Sequence, residues 1–500
     1  MSEQIPYPFF LSSAEQSRET DRRTIEEFGI DGFTLMEIAG TRAADYIRSH
    51  FSPDSIGLIF CGKGNNAGDA LVAGRLLHEQ GYDLYFCFAQ GTEDLSPDTA
   101  RNLNLLRELI PEARICTWPD LPEHRADFIV DGLLGTGVSS DLRSPYDEII
   151  RKINETDAEV FSMDIPTGIH PDRGTILGEA VSADHTLSFG MLKAGCYLDE
   201  GFDRSGTVVL CELPFPNKFK KAAAYLIDED WVYDQTPVNK RRDHKYDDGI
   251  LYIIAGSEGL TGAATFAARS AWSTGLGAVV LITPKGLLPT YEELLPEVIK
   301  KTVGTDQDTY FKPNHLDQIK SILAGKKGDL LVGPGLGRQE ETVSLVQELL
   351  KQCEGRITID ADGIWALSQA GEINKPSNAS WLITPHPGEL KSLLDQDMQG
   401  AFDRLIQSCG YASKNNLYIL SKGLPSILGT PQGKGYITSY DTRIFSRAGF
   451  GDILAGKCAA FALQFSSLYL GALNALLDGK SKAIQHLENT DTPLEPTHLI

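Results

Sequence analysis

Apolar runs of strand length alternate with stretches of helical period along the whole chain, in two successive series. The first opens on a helical region, Ser13 to His50, followed by a strand from Ser55 to Phe60. A Gly/Asn loop, a helix through Leu76 and Leu77, and the strand Leu84 to Phe88 complete a strand–loop–helix–strand unit. Asp127 to Val130 and Glu159 to Met163 read as further buried strands. The second series restarts with Ile250 to Ile254 as a strand, Gly256 to Gly262 as a loop, Ala263 to Thr274 as a helix and Ala278 to Ile282 as a strand. Asp329 to Val332, Arg356 to Ile359, Trp381 to Ile383 and Leu417 to Leu420 continue it. Strands that are apolar throughout are covered on both faces, and their alternation with helices implies parallel sheets wrapped by helices. Each half is therefore expected to be an α/β domain.

Between Leu213 and Asp248 the composition shifts. Pro214, Pro216, Lys218, Lys220 and Lys221 precede a polar run from Asn239 to Asp248. This places one domain over residues 1–220, a linker over 221–240 and a second domain over 241–500. Lys and Arg number 46 against 68 Asp and Glu, a net charge of −22. Nucleic acid and anionic membrane both need a basic face, so neither is expected as a partner. Anionic small ligands stay compatible with this charge, because a local nest of backbone amides outweighs the global field. The longest apolar stretch, Ile453 to Leu477, is broken by Lys457 and Gln464 and stops at Asp478, as buried helices do and a membrane span does not. The cysteines are scattered, with no Cys-x-x-Cys pair and no Cys/His spacing suited to zinc. They read as reduced thiols of a cytoplasmic protein. Met1 to Asp21 is polar and acidic and lacks the pattern of a targeting segment. A homo-oligomer is expected, of an order that the sequence leaves open.

In an open parallel sheet, ligands sit beyond the carboxyl ends of the strands. The unusual residues of the second half fall there. Gly333-Pro334-Gly335-Leu336-Gly337, Asp360-Ala361-Asp362-Gly363, Thr384-Pro385-His386-Pro387-Gly388-Glu389 and Ser421-Lys422-Gly423 each follow an expected strand. The most informative segment is Ser446 to Gly456, where a glycine-rich turn runs into an Ala-rich helix with Gly451-Asp452 at its start. Bare amides at a helix start attract phosphate oxygens. A carboxylate beside them can take a proton from an attacking hydroxyl, as the base does in phosphoryl transfer. Plainer readings exist for each motif. Asp452 could be an N-cap, Gly-Pro-Gly a turn, His386 a rigid surface corner and Lys422 part of a solvated loop. Their joint position on one edge of one sheet favours a site.

In the first half, Gly62 to Asp69 follows a strand and opens a helix, so its amides and Asn side chains can cradle a diphosphate. It has neither a Walker ending nor the dinucleotide-fingerprint spacing. Val130 to Gly137 and Met163 to Gly168 lie at the next strand ends. Asp131, Asp164 and Thr167 could converge as oxygen donors, or the two Asp residues could cap helices.

The ordered set of the second half, residues 240–490, resembles the ribokinase-like carbohydrate-kinase superfamily, and within it the ADP- or ATP-dependent NAD(P)H-hydrate dehydratases. Residues 8–215 are similar to the NAD(P)H-hydrate epimerases, through Leu35-Met36-Glu37, the Asn-Asn loop, Asp131 to Gly137, Asp164 to Gly168 and Lys193. The resemblance implies two α/β domains, a Rossmann-like three-layer sandwich followed by a ribokinase-like one. It implies that Ala263, Gly335, His386 and Asp452 contact the hydrated nicotinamide nucleotide. By the same resemblance Lys422, Gly423, Leu424, Pro425, Ser426 and Gly451 hold ADP or ATP with Mg²⁺, and Asp452 is the base. In the first domain it implies substrate contacts from Asn65, Asn66, Ala67, Gly68 and Asp69, and from Gly135, Thr136, Gly137, Val138, Ser139, Ser140 and Asp141. Asn66, Asp131 and Thr167 would bind K⁺, and Asp164 would serve as acid/base. The order epimerase-then-dehydratase points to ADP as co-substrate.

The chain departs from the family pattern at several positions. Ala67 and Ala70 stand for glycines, Ile38 for Asn, Phe450 for Thr and Trp365 for Asn, and His244-Lys245-Tyr246 replaces His-Lys-Gly. An Ala at a site needing positive φ would strain the first loop. Two other readings accompany the repair enzyme: a small-molecule kinase fused to a nucleotide-binding module, and a catalytically impaired nucleotide-binding scaffold.

Overall fold

A computed structural model describes residues 9–121, 125–237, 249–324, 328–371 and 374–500. The polar run Asn239 to Asp248, including His244 to Tyr246, lies outside them. The chain divides into two compact units: residues 1–226 with 400–402, and residues 227–399 with 403–500. The stretch expected to link the halves carries a strand, Ala224–Leu226, and a helix, Glu229–Gln235.

The first unit is built on a seven-stranded sheet. Its order is Ile115–Thr117, Asp83–Phe88, Ile56–Cys61, Phe128–Gly132, Glu159–Met163, His185–Phe189, Thr207–Cys211, and every pairing is parallel. Alternate residues of one strand enter opposite cores. Ile59 and Cys61 pack with Phe86, Phe88 and Val130 on one face, whereas Phe60 packs with Cys87 and Ile129 on the other. That two-sided burial is the three-layer sandwich implied by the apolar runs. The Ile56–Cys61 strand has a later strand on each side, so the chain reverses direction across the sheet there. A cleft opens at such a switch point, beyond the carboxyl ends.

In the second unit the strands run Ile299–Val303, Val279–Pro284, Ile250–Ile254, Gly328–Val332, Gly355–Ile359, Ala379–Ile383 and Tyr418–Ser421, all parallel. An antiparallel extension, Ile427–Gly429 and Gly435–Ile437, follows. Again two cores form, one around Tyr252, Ile254 and Ile282, the other around Leu251, Ile253 and Leu281. The second core is sealed by the Phe450–Phe465 helix, whose Ala455, Ala459 and Ala460 pack on Ala264, Ala267 and Ala271 of the Thr261–Ser273 helix. Small residues allow these helices to approach closely. The apolar tract that follows continues as the Leu468–Asn489 helix, and among the described residues no helix is long and apolar enough to cross a membrane.

Two expectations about substituted glycines are corrected here. Ala67 and Ala70 sit inside the Asn65–His78 helix with no positive φ and are fully buried, so neither strains a loop. A Cβ on Gly132 would lie 2.5 Å from the Ala70 Cβ, so Ala70 fills the space that Gly132 leaves. At Gly456, a Cβ would lie 2.2 Å from Ser270 Oγ and 2.3 Å from the Ala267 carbonyl. Gly456→Val is therefore expected to destabilise the second unit by about 3 kcal/mol through overpacking, read as a lower urea midpoint at unchanged m-value.

Candidate active sites

Three strand ends and one helix start of the second unit enclose a cavity of about 580 Å³. The helix Phe450–Phe465 begins at Gly449, whose φ of +97° suits glycine and whose hydrogen faces the Phe266 ring. Gly449, not Asp452, thus holds the cap position. Asp452 stands in the first turn, lining the cavity beside the open amides of the helix start. Phe450, where the family pattern has a hydroxyl, is buried with Ile453, Leu494 and Leu499 and packs on Phe445 at 5.6 Å.

Lys422 Nζ, at the end of the Tyr418–Ser421 strand, pairs with Asp360 Oδ1 at 2.7 Å, and Thr384 Oγ1 donates to the same oxygen at 2.7 Å. His386 caps the Pro387–Leu394 helix. Its Nδ1 accepts from the amides of Gly388 and Glu389, while Glu389 Oε2 accepts from the His386 amide at 2.9 Å. The imidazole proton therefore sits on Nε2, which points at Glu389 Oε1 from 3.3 Å. Burial, reinforced by the negative charge of Asp360, pushes the Asp452 carboxyl up to about 7. Burial likewise lifts Glu389 to about 7, against the pull of Lys422. Burial lowers His386, and Lys422 adds to that. For Lys422, burial pulls down, but Asp360 and Glu389 outweigh it and the ammonium is held above its ordinary range. One ammonium thus serves several carboxylates, and two of these carry protons near neutrality.

Gly423, Leu424, Ser426 and Gly451 also line this cavity, while Pro425 does not. The loop that holds them is organised by Arg404, which sequence reading missed. Its guanidinium is buried and donates to the carbonyls of Ser421, Lys422, Leu424 and Pro425, the last at 2.7 Å. No motif surrounds Arg404 in the sequence; its role follows from the Gly400–Lys414 helix packing under the loop. Ala263 and Gly335 are not among the lining residues. They adjoin each other at the switch point, where a Cβ on Gly335 would lie 3.1 Å from that of Ala263. Trp365 carries the Arg338 guanidinium at 4.6 Å from its ring centre, and Arg338 Nε binds Asp362 at 3.1 Å.

The first unit holds a cavity of about 650 Å³ at its own switch point. Asn65, Asn66, Asp69, Gly135, Thr136, Gly137, Val138 and Asp164 line it. Ala67 and Gly68 lie behind, in the helix core, and Ser139, Ser140 and Asp141 fall outside the lining. Asp164, at φ +67°, binds Lys193 Nζ, and its Oδ1 accepts from the Phe189 amide at 3.1 Å. Lys193 is buried and also donates to the Phe189 carbonyl at 2.8 Å. Asp69 and Asp21 share the cavity, and burial pushes both carboxyls up, with Asp164 adding to each. Asp21 comes from the Ala14–Arg23 helix, and nothing in its sequence surroundings marked it.

Behind this cavity Asp131 is fully buried, and its hydrogen bonds come from hydroxyls and backbone amides. Thr167 Oγ1 and amide donate to it at 2.7 and 2.9 Å, and Ser162 Oγ at 2.8 Å. Burial outweighs these bonds and raises its carboxyl. The Asn66 side-chain amide, also buried, has an unpaired nitrogen.

Two α/β units, each with a polar cavity at the carboxyl edge of a parallel sheet, define a pair of small-molecule enzyme domains handling phosphorylated ligands. A family model described as NAD(P)H-hydrate dehydratase matches residues 251–500, and one described as YjeF-related protein N-terminus matches residues 32–195. The bifunctional NAD(P)H-hydrate repair enzyme Nnr of Salinibacter ruber is 33% identical over 95% of this chain and 91% of its own length. Its counterpart in Moorella thermoacetica is 30% identical over 94% and 91%. The ADP/ATP-dependent NAD(P)H-hydrate dehydratase from Bacillus subtilis, co-crystallized with ATP/Mg²⁺, aligns at 20% identity and a TM-score of 0.47, over 56% of this chain and 96% of that one. The chain belongs to the bifunctional NAD(P)H-hydrate repair family. A kinase fused to an unrelated module does not account for a likeness running through both halves.

The raised Asp452 carboxyl has a consequence for stability. Its folded pKa of about 7 exceeds the value near 3.8 of the unfolded chain. Below pH ~4 both states hold the proton; between ~4 and ~7 only the folded state does, so burying the charge costs increasingly more as pH rises. Asp452→Asn is expected to stabilise the nucleotide-free protein at pH 8 by on the order of 2 kcal/mol, with the gain vanishing near pH 4. Urea titrations at the two pH values measure it.

Proposed function

We propose that the chain returns hydrated NADH and NADPH to the reduced coenzymes, with its first half interconverting the R and S hydrates and its second half dehydrating the S form at the expense of ADP. The observation that carries this reading is the meeting of Asp452, Lys422 and the open amides of the Phe450–Phe465 helix in one cavity. In the dehydratase, the hydrate's hydroxyl oxygen forms a bond to the terminal phosphorus of ADP, AMP departs, and Asp452 takes the hydroxyl proton. The phosphate is then a competent leaving group. The ring nitrogen's electron pair expels it, a ring proton is lost, and the products are AMP, phosphate and NAD(P)H. Gly451, Lys422 and the Gly423 to Ser426 loop hold the nucleotide, and His386 offers its Nε2 proton to the substrate.

The excess of carboxylates over Lys422 fits Mg²⁺, which Asp360, Asp362 or Glu389 would hold and which would offset phosphate charge. Ala263 and Gly335 extend the substrate surface at the switch point. In the epimerase, Asp164 is the acid/base, steadied by Lys193, while Asp69 supplies a second carboxyl, which burial pushes up. Asn65, Asn66, Asp69 and Gly135 to Val138 form the nucleotide cradle. The buried Asp131 carboxylate and Thr167 Oγ, joined by the side-chain carbonyl oxygen of Asn66, would supply oxygen donors suited to a monovalent cation, and K⁺ would offset the Asp131 charge. Eight cysteines without disulfides support a cytoplasmic setting.

Restoration of reduced-nicotinamide absorbance from S-hydrate tests the reading, with ADP expected to surpass ATP. Asp452→Asn should lower kcat by about 10²–10⁴-fold. Unchanged turnover removes Asp452 from the role of base. Asp164→Ala should abolish use of the R hydrate and leave S-hydrate dehydration intact. Replacing K⁺ with tetramethylammonium should slow epimerisation alone.

A further inference from the structure

At the amino edge of the first sheet, opposite the cavity, two histidines and a glutamate converge. Among the described residues, His50, Glu159 and His185 form the single group of three or more His, Cys, Asp or Glu side chains with candidate ligand atoms all within 4.8 Å of one another. Glu159 and His185 are the first residues of adjacent parallel strands, and His50 follows the Gly32–Arg48 helix. Asp164 lies beyond the far end of the Glu159 strand, roughly 16 Å away by strand rise. The cluster is therefore separate from the chemistry described above.

Its hydrogen bonding is that of oriented metal ligands. His50 Nδ1 faces the Tyr46 carbonyl at 3.0 Å, and His185 Nδ1 faces the Tyr46 hydroxyl at 3.1 Å. Each Nδ1 is thus engaged by an oxygen of one residue, which fixes the rings and leaves both Nε2 atoms for a ligand. His185 Nε2 already points at Glu159 Oε1 from 2.7 Å. The imidazole centres lie 4.7 Å apart, and Phe161 stacks on His185 at 4.9 Å, giving the group an apolar wall. His50 is exposed and Glu159 and His185 are half-buried, so one side stays open to water. The helix carbonyls ending beside His50 add a negative field that favours a cation.

We propose that His50, Glu159 and His185 bind a transition-metal dication, zinc being the best match, with water in the fourth position. Two imidazoles and one carboxylate with an open position are an ordinary zinc donor set, at about 2.0–2.2 Å per bond. Binding requires the Glu159 carboxylate to swing off His185 Nε2 and the ion to take the place of the shared proton. The ion would tie the end of the Gly32–Arg48 helix to two strands. Leu35, Met36 and Ala39 of that helix line the epimerase cavity, so the tie anchors one wall of it at a distance.

The test uses the full chain, stripped with chelator and titrated calorimetrically with ZnCl₂ in buffer containing excess Mg²⁺ and K⁺. One equivalent binding at micromolar affinity or tighter is expected, with a raised melting temperature. His50→Ala and Glu159→Gln should each weaken that binding by at least about tenfold. His50 is exposed, so its variant keeps the fold; His185→Gln adds a third arm if it folds. Tetrahedral d–d absorption with Co²⁺ in the wild type, lost in His50→Ala, reads the coordination directly. Absence of zinc binding, or binding unchanged in both His50→Ala and Glu159→Gln, overturns the proposal.

Discussion

The Lys422–Asp360 ion pair is the constraint on which the dehydratase cavity depends. Its two partners come from strands separated in the sheet by Ala379–Ile383, so the pair spans the strand end that delivers His386. Removing the ammonium would leave the buried Asp360 without its partner, beside the carboxyls of Glu389 and Asp452. Breaking such a pair is far more costly than never having built it. Burial is the main reason that Asp452 and Glu389 retain protons near neutrality; Asp360 adds to it, and Lys422 offsets it only in part.

The two halves solve the same problem with different parts. Each places a carboxylate immediately past a parallel strand, pairs it with a lysine, and bends the backbone into the left-handed region close by, at Asp164 in one and at Ala361 beside Asp360 in the other. Such angles are unfavourable for residues with a Cβ and persist where packing overdetermines them. In both units the lysine comes from later in the chain than its carboxylate, so the pair is a tertiary contact between separate segments.

Much of this was legible in the chain. Continuous apolar strands ending in glycine, Asp, His or Lys motifs marked the carboxyl edges, and parallel topology brings those edges together whatever lies between them. The helix start at Gly449 and the cavity position of Asp452 followed from Gly-rich sequence leading into an Ala-rich helix. Side chains whose role arises from packing alone were not legible. Asp21 and Arg404 sit in ordinary amphipathic helices, and only tertiary structure turns one into a cavity and the other under a loop. The substituted residues Ala67, Ala70 and Phe450 also needed the structure, because a helical φ or a core-facing ring cannot be told from a strained or missing group by residue type.

Arg404 carries a last implication. A loop whose carbonyls are gathered on one buried guanidinium is already in a single conformation before any ligand arrives. A ligand that docks on such a segment takes little chain entropy from it, and the Lys422 to Ser426 turn is closer to a rigid template than to a closing flap. A change in the shape of this turn would accordingly have to begin beneath it, at the arginine, before changes on its surface could matter.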